Sequence, residues 1–199
     1  MKLETQSRGI IIRKHFPQKI HLSIIDEQYG HLSVIPSSWQ WASYASVGAI
    51  ISYELVEEPY NFFVKQVELL MVPSYQNELV LLFMHHLVEI CYFCLPVQSG
   101  KTECFDLLLY IIRSLDQFSS CAHVQKLLLA KLLFIIGQYP IDVEQLTVSS
   151  LLYRHHEELV RFALTHEQRK EIEIFIYQCI KAHPYGRLLK TVNFLSQVR

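Results

Sequence analysis

The sequence predicts an α+β fold, a small N-terminal barrel of five strands followed by an all-helical domain. Two observations carry this expectation. Period-two apolar alternation is confined to the chain before Pro73, and apolar spacings of three and four take over after it. Strands and helices are thus segregated along the chain, which excludes an interleaved βαβ sheet.

The strands come first. Gly9 to Arg13 is short and β-branched, and Ile20 to Ile25 alternates as a half-buried strand should. Asp26-Glu27-Gln28-Tyr29-Gly30 reads as a turn, and His31 to Ile35 alternates again, so the pair forms a hairpin. Pro36 to Ser46 is a loop. Val47 to Val56 and Phe62 to Val72 are two further strands, joined by a turn at Glu57 to Asn61. Five strands in one open sheet would expose two edges, and closure hides them. A barrel of the OB type is the expected form, with an SH3-like barrel as the alternative.

The helices follow. Ser74 is placed to cap a helix whose apolar residues Leu79, Leu82, Phe83, His86, Leu87, Ile90, Cys91 and Cys94 share one side, and Pro96 lies beyond its end. Phe105, Leu108, Leu109, Ile112 and Leu115 mark a second helix. A third starts at Ser119 or Ser120, runs from Cys121 to Ile136 and stops at Gly137. It is apolar almost all round, so it should be the central helix. Two more are expected near Val148 to Ala163 and Glu167 to Lys181, the latter entered through a capping box at Thr165-His166-Glu167-Gln168. A last helix, Leu188 to Ser196, lies in a basic tail. The expected boundaries are residues 1–73 for the barrel and 74–199 for the helical domain.

Hydrophobic residues are 51% of the 199, enough for a packed core, and charged residues are 19%, so the chain is not of the disordered class. The longest apolar runs, at Leu79 to Met84 and at Leu127 to Ile136 with Lys131 interrupting the second, fall short of the roughly 18 residues of a membrane span. No apolar stretch of signal-peptide length opens the sequence, so a cytoplasmic protein is expected. The five cysteines (Cys91, Cys94, Cys104, Cys121 and Cys179) are odd in number and sit in apolar contexts, which points to reduced, buried thiols.

Net charge is −1 but unevenly spread. Residues 1–20 and residues 169–199 each carry +4, and the middle carries −9. Two basic ends around an acidic waist suit a polyanion partner; solvated termini are the plainer explanation. Lysine and arginine supply most non-specific affinity for nucleic acid by neutralising phosphates. Arg8, Arg13, Lys14 and Lys19 lie on or beside the first strand and Lys65 on the fifth, while Arg187 and Lys190, three apart, share a face of the last helix. OB barrels add stacking aromatics to such cations. Trp39, Trp41 and Tyr44, in a loop without cations, are the stacking candidates, or else pack against the protein.

Three stretches, in this order, resemble the RecO family of bacterial recombination mediators. The first is Arg8 to Ile35, with its hairpin turn Glu27-Gln28-Tyr29-Gly30. The second is Phe105-Asp106-Leu107-Leu108-Leu109, followed by Leu132-Leu133-Phe134-Ile135-Ile136-Gly137-Gln138-Tyr139-Pro140. The third is Gly186-Arg187-Leu188-Leu189-Lys190 leading to Phe194-Leu195. The resemblance implies a non-enzymatic mediator of DNA repair. Such a protein binds single- and double-stranded DNA, anneals strands, and loads RecA together with RecR and the single-stranded-DNA-binding protein SSB. It also implies a groove for the acidic, apolar SSB tail beside basic residues, at Lys126 and the nearby Lys131; both can equally be solvating a helix face. The sequence departs from the family in two places. Pro140 to Ser150 holds no cysteine where many members carry a four-cysteine zinc module, and the loop from Pro36 to Ser46 holds no cation. An adaptor on the same scaffold with weak or no DNA affinity is therefore the alternative.

No cofactor, metal or catalytic residue is expected. Ser99-Gly100-Lys101-Thr102 resembles the end of a phosphate loop, but Leu95 stands where the first glycine belongs. Cys91 and Cys94 lie inside an apolar helix. The adjacent histidines His85-His86 and His155-His156 would stand about 100° apart on a helix, whereas a metal pair needs a spacing of four. They are expected to be solvated or capped.

Overall fold

A computed structural model of the chain describes residues 4–15, 21–38, 46–75, 77–118, 121–137 and 147–190. Its five strands are β1 (Glu4–Lys14), β2 (Leu22–Asp26), β3 (Gly30–Pro36), β4 (Ile50–Glu58) and β5 (Asn61–Met71). They close into a barrel in the order β1-β2-β3-β5-β4, antiparallel throughout except for the parallel pair β3–β5, an arrangement compatible with the OB type. The helices are α1 (Glu78–Cys94), α2 (Glu103–Arg113), α3 (Leu115–Phe118), α4 (Ala122–Ile136), α5 (Ser149–Leu152), α6 (His156–Leu159) and α7 (His166–Ala182), with a three-ten turn at Gly186–Leu188. The fold is α+β, as the segregated pattern predicts. Among the described residues, no helix is long and apolar enough to cross a membrane.

The chain forms two compact units. One is 1–74 together with 95–113; the other is 75–94 together with 114–199. In the first, Ile11, Leu22, Ile24, Leu32, Val34, Ile51, Tyr53, Leu55 and Val64 fill the barrel. The cross-strand partners Ile10 and Ile25 point the other way and are still fully buried, because α2 packs on β1 and β2. Ile10, Ile11 and Ile12 are therefore all buried, and the ladder between β1 and β2 shifts register between Ile11 and Arg13.

The barrel also holds a polar centre. Asp26 is fully buried and accepts hydrogen bonds from Ser7 Oγ (2.7 Å), the Tyr53 hydroxyl, Gln28 N (2.7 Å) and Tyr29 N (2.8 Å). The last two bonds shape the turn between β2 and β3. Burial, followed by the charge of Asp26, pushes the Tyr53 hydroxyl well above its usual pKa, so it stays a donor.

In the second unit α4 is buried on most of its circumference and packs against α1, α3, α5, α6 and α7. Gly137 ends it in the left-handed region (φ 78°), where its N–H reaches the carbonyls of Leu133 and Phe134. Cys121, not a serine, occupies the N-cap position; Ser119 and Ser120 lie outside the described residues. Thr165 and Gln168 form the expected capping box of α7.

Several sequence expectations need correction. α1 begins at Glu78, and the Asn77 side chain, rather than Ser74, accepts from a first-turn amide, Val80 N, at 3.0 Å. The helix expected from Val148 to Ala163 is two short ones, α5 and α6, because His155 is extended (ψ 144°). The helix expected from Leu188 does not form over the described residues. A three-ten turn ends at Leu188, and Leu189 is extended. Cys91, Cys94, Cys104 and Cys179 are buried, and Cys121 is half-buried; none forms a disulfide. Burial pushes the thiols of Cys94, Cys104 and Cys179 up to about 12.

Candidate nucleic-acid and peptide interface

The cations of the barrel are placed unequally. Arg8 is exposed on β1, but its guanidinium grips Glu27, with Nε and Nη2 each 2.7 Å from Oε2, and its backbone N–H donates to Oε1 at 2.9 Å. It also lies 5.7 Å over the Phe105 ring. Such a guanidinium already has the anion that a phosphate would supply. Arg13 and Lys14 stand at the end of β1, exposed and half-buried, and burial lowers the pKa of Lys14. Lys65 pairs across the sheet with Glu54, beside a bulge at Gln66 (φ 47°). Lys19, Trp39, Trp41 and Tyr44 lie outside the described residues.

The helical unit offers a different surface at the end of α7. Gly186 approaches the α7 terminus so closely that a Cβ there would sit 2.0 Å from the Ile180 carbonyl oxygen. No other residue fits without moving the backbone. This contact sets the three-ten turn against the helix and brings Arg187 beside Lys181. The two line a cleft of about 520 Å³ with Tyr177, Ile180, His183 and Leu189, and no carboxylate is among its described lining residues. Lys181 Nζ lies 5.9 Å over the Tyr177 ring. His183 Nδ1 accepts from Tyr185 N (3.2 Å), so the neutral ring carries its proton on Nε2 and remains a donor. Partial burial holds its pKa below 6.5. The Tyr185 ring packs on His183 and Phe93.

Arg187 thus joins Lys181, not Lys190. The expected shared helix face is absent because the turn stops at Leu188, and Lys190 is tied by its backbone N–H to Glu89 at 2.9 Å. Sequence reading missed Tyr177, Lys181 and His183. The available signal was a cation in the last turn of α7 followed by a glycine, but what joins Lys181 to Arg187 is a backbone contact that no side-chain pattern records.

A second hollow, of about 240 Å³, lies between the first turns of α4 and α7. Leu164 and Ile172 give it apolar walls, and His123, Lys126, Arg169 and Glu173 rim it. Lys126 Nζ bonds Glu173 at 2.7 Å; the lysine side chain is 12% exposed and the glutamate 49%. Lys131, the other expected basic residue, is buried. Its Nζ donates to the Leu152 carbonyl and lies 5.5 Å from the Phe134 ring centre, where it braces α5 against α4. His123 and Arg169 take its place beside Lys126; they are far apart in sequence and meet only because α4 and α7 pack together. Compared with models of known families and with curated proteins, the sequence matches none.

Proposed function

We propose that this protein is a DNA-binding recombination mediator of the RecO kind, acting without catalysis and working with RecR and SSB to load RecA. The observation that carries the reading is the cleft of Lys181, His183 and Arg187, which combines cations, an aromatic ring and an absence of described carboxylates. Cations beside an aromatic face are what a single strand needs. Phosphates gain from neutralisation, and a base gains from stacking at roughly 1–3 kcal/mol. The resemblance of the sequence to RecO adds the partners. Titration of a fluorescent single-stranded oligonucleotide tests this. The whole chain binds with strong salt dependence, and a Lys181→Glu, Arg187→Glu double variant loses about tenfold or more in affinity. Equal affinity of variant and parent rejects the cleft as the interface.

The hollow at Lys126 favours a second function on the same scaffold, an adaptor for an acidic, apolar peptide tail such as that of SSB. Its apolar walls suit the tail's side chains. A terminal carboxylate would replace Glu173, which is half in solvent, as the partner of Lys126. Binding of such a tail peptide weakens about tenfold in Lys126→Ala and strengthens in Glu173→Gln. A peptide indifferent to both changes binds elsewhere.

A further inference from the structure

Between α5 and α6 the chain does something that adjacent histidines on a continuous helix cannot do. His155 is extended (φ −62°, ψ 144°) and occupies the N-cap position of α6. The two imidazoles come within 3.9 Å, centre to centre, at a tilt of 35°. Glu157 follows, and one ligand atom from each of His155, His156 and Glu157 lies within 4.8 Å of the others. The break in the helix makes a cluster from a spacing that would have kept the rings apart.

The geometry points to a site for a late first-row divalent cation, of the zinc class, held by His155, His156 and Glu157. Two imidazoles and one carboxylate are the donors such ions favour, and three protein ligands leave a fourth position for water. For bonds of about 2.1 Å in a tetrahedron the donor atoms must stand about 3.4 Å apart, so the present cluster has to tighten. His155 and Glu157 are exposed and can rotate to do so, while His156 is 8% exposed and gives the cluster a fixed member. The backbone beneath is anchored by Leu152 and Leu159, both fully buried. Arg154 is the cation nearest in sequence. It lies 3.8 Å from Glu158 and stacks 4.6 Å from the centre of Phe162, and so is held by partners outside the cluster. A bound ion would clamp the turn that joins α5 to α6. This inference does not depend on the DNA reading.

The test uses the full chain with Zn2+ and Co2+ as probes. Calorimetric titration gives about one Zn2+ per chain. His155→Ala and Glu157→Gln, both at exposed positions, each weaken binding by about tenfold or more and shrink the rise in melting temperature that excess Zn2+ gives the parent. The Co2+ complex lacks the intense near-ultraviolet absorption of a cobalt–thiolate bond. Any of three results overturns the site: no binding, variants with the parent's affinity, or a thiolate spectrum that assigns the ion to cysteine.

Discussion

Arg8 and Arg187 are both exposed arginines in a basic end of the chain, and the fold treats them in opposite ways. Arg8 is locked to Glu27 and lies over Phe105, so it serves the barrel. Arg187 sits on a turn pressed against α7, beside Lys181, in a cleft whose described lining carries no carboxylate. Residue type and net charge of the segment do not separate the two cases. The nearest anion does, because a carboxylate that takes two guanidinium nitrogens satisfies the arginine in advance, and its absence leaves the cation to solvent or to a ligand.

The sharpest way to break the contrast is to attack the barrel's internal polar centre. Asp26→Ala strands the hydroxyls of Ser7 and Tyr53 and the turn amides of Gln28 and Tyr29. It costs on the order of 3–5 kcal/mol, read as a lower midpoint in urea denaturation. Arg187→Ala, by comparison, changes stability by no more than about 0.5 kcal/mol and leaves that midpoint nearly in place. Equal effects would mean that Arg187 is structural after all.

A smaller effect tests the helical unit. Burial, and secondarily the neighbouring His85, lowers the pKa of His86 from 6.5 to about 4. The unfolded chain therefore takes up this proton at higher pH than the folded one. Stability contributed by neutral His86 is intact above 6.5 and falls as pH drops towards about 4, where the folded state also protonates. Glu89, whose Oε2 is 4.0 Å from His86 Nδ1, also holds the backbone N–H of Lys190, so the charged ring would arise beside an existing contact. Melting temperatures across this window decline less steeply in His86→Leu than in the parent; identical slopes would remove His86 from the account.

Much of the fold is legible because apolar burial writes itself in periods. β3 alternates, α4 is apolar nearly all round, and Thr165 with Gln168 announces the start of α7; β2, expected to be half-buried, is buried on both faces. The first half of β1 is not legible in this way. Thr5, Gln6 and Ser7 are polar, and Ser7 is buried only because Asp26 and Tyr53 receive it. Nor does Tyr153-Arg154-His155-His156 carry a glycine or proline to signal the break between α5 and α6. The candidate sites were harder still. Lys126 could be named from the resemblance, but its neighbours Arg169 and His123 arrive from another helix and another turn. Arg187 could be named from charge, yet its partner Lys181 is supplied by the Gly186 contact with Ile180. Contacts between segments distant in sequence, made through backbone or packing, leave no periodic trace.

The most direct test compares Arg8→Ala and Arg187→Ala in single-stranded oligonucleotide binding over a range of salt concentrations. The account predicts that Arg187→Ala weakens binding and makes the plot of log affinity against log salt shallower by about one unit, one phosphate contact having gone. Arg8→Ala should leave affinity and slope near those of the parent. Unchanged slope in Arg187→Ala together with a shallower one in Arg8→Ala would contradict it, and would move the interface to the barrel.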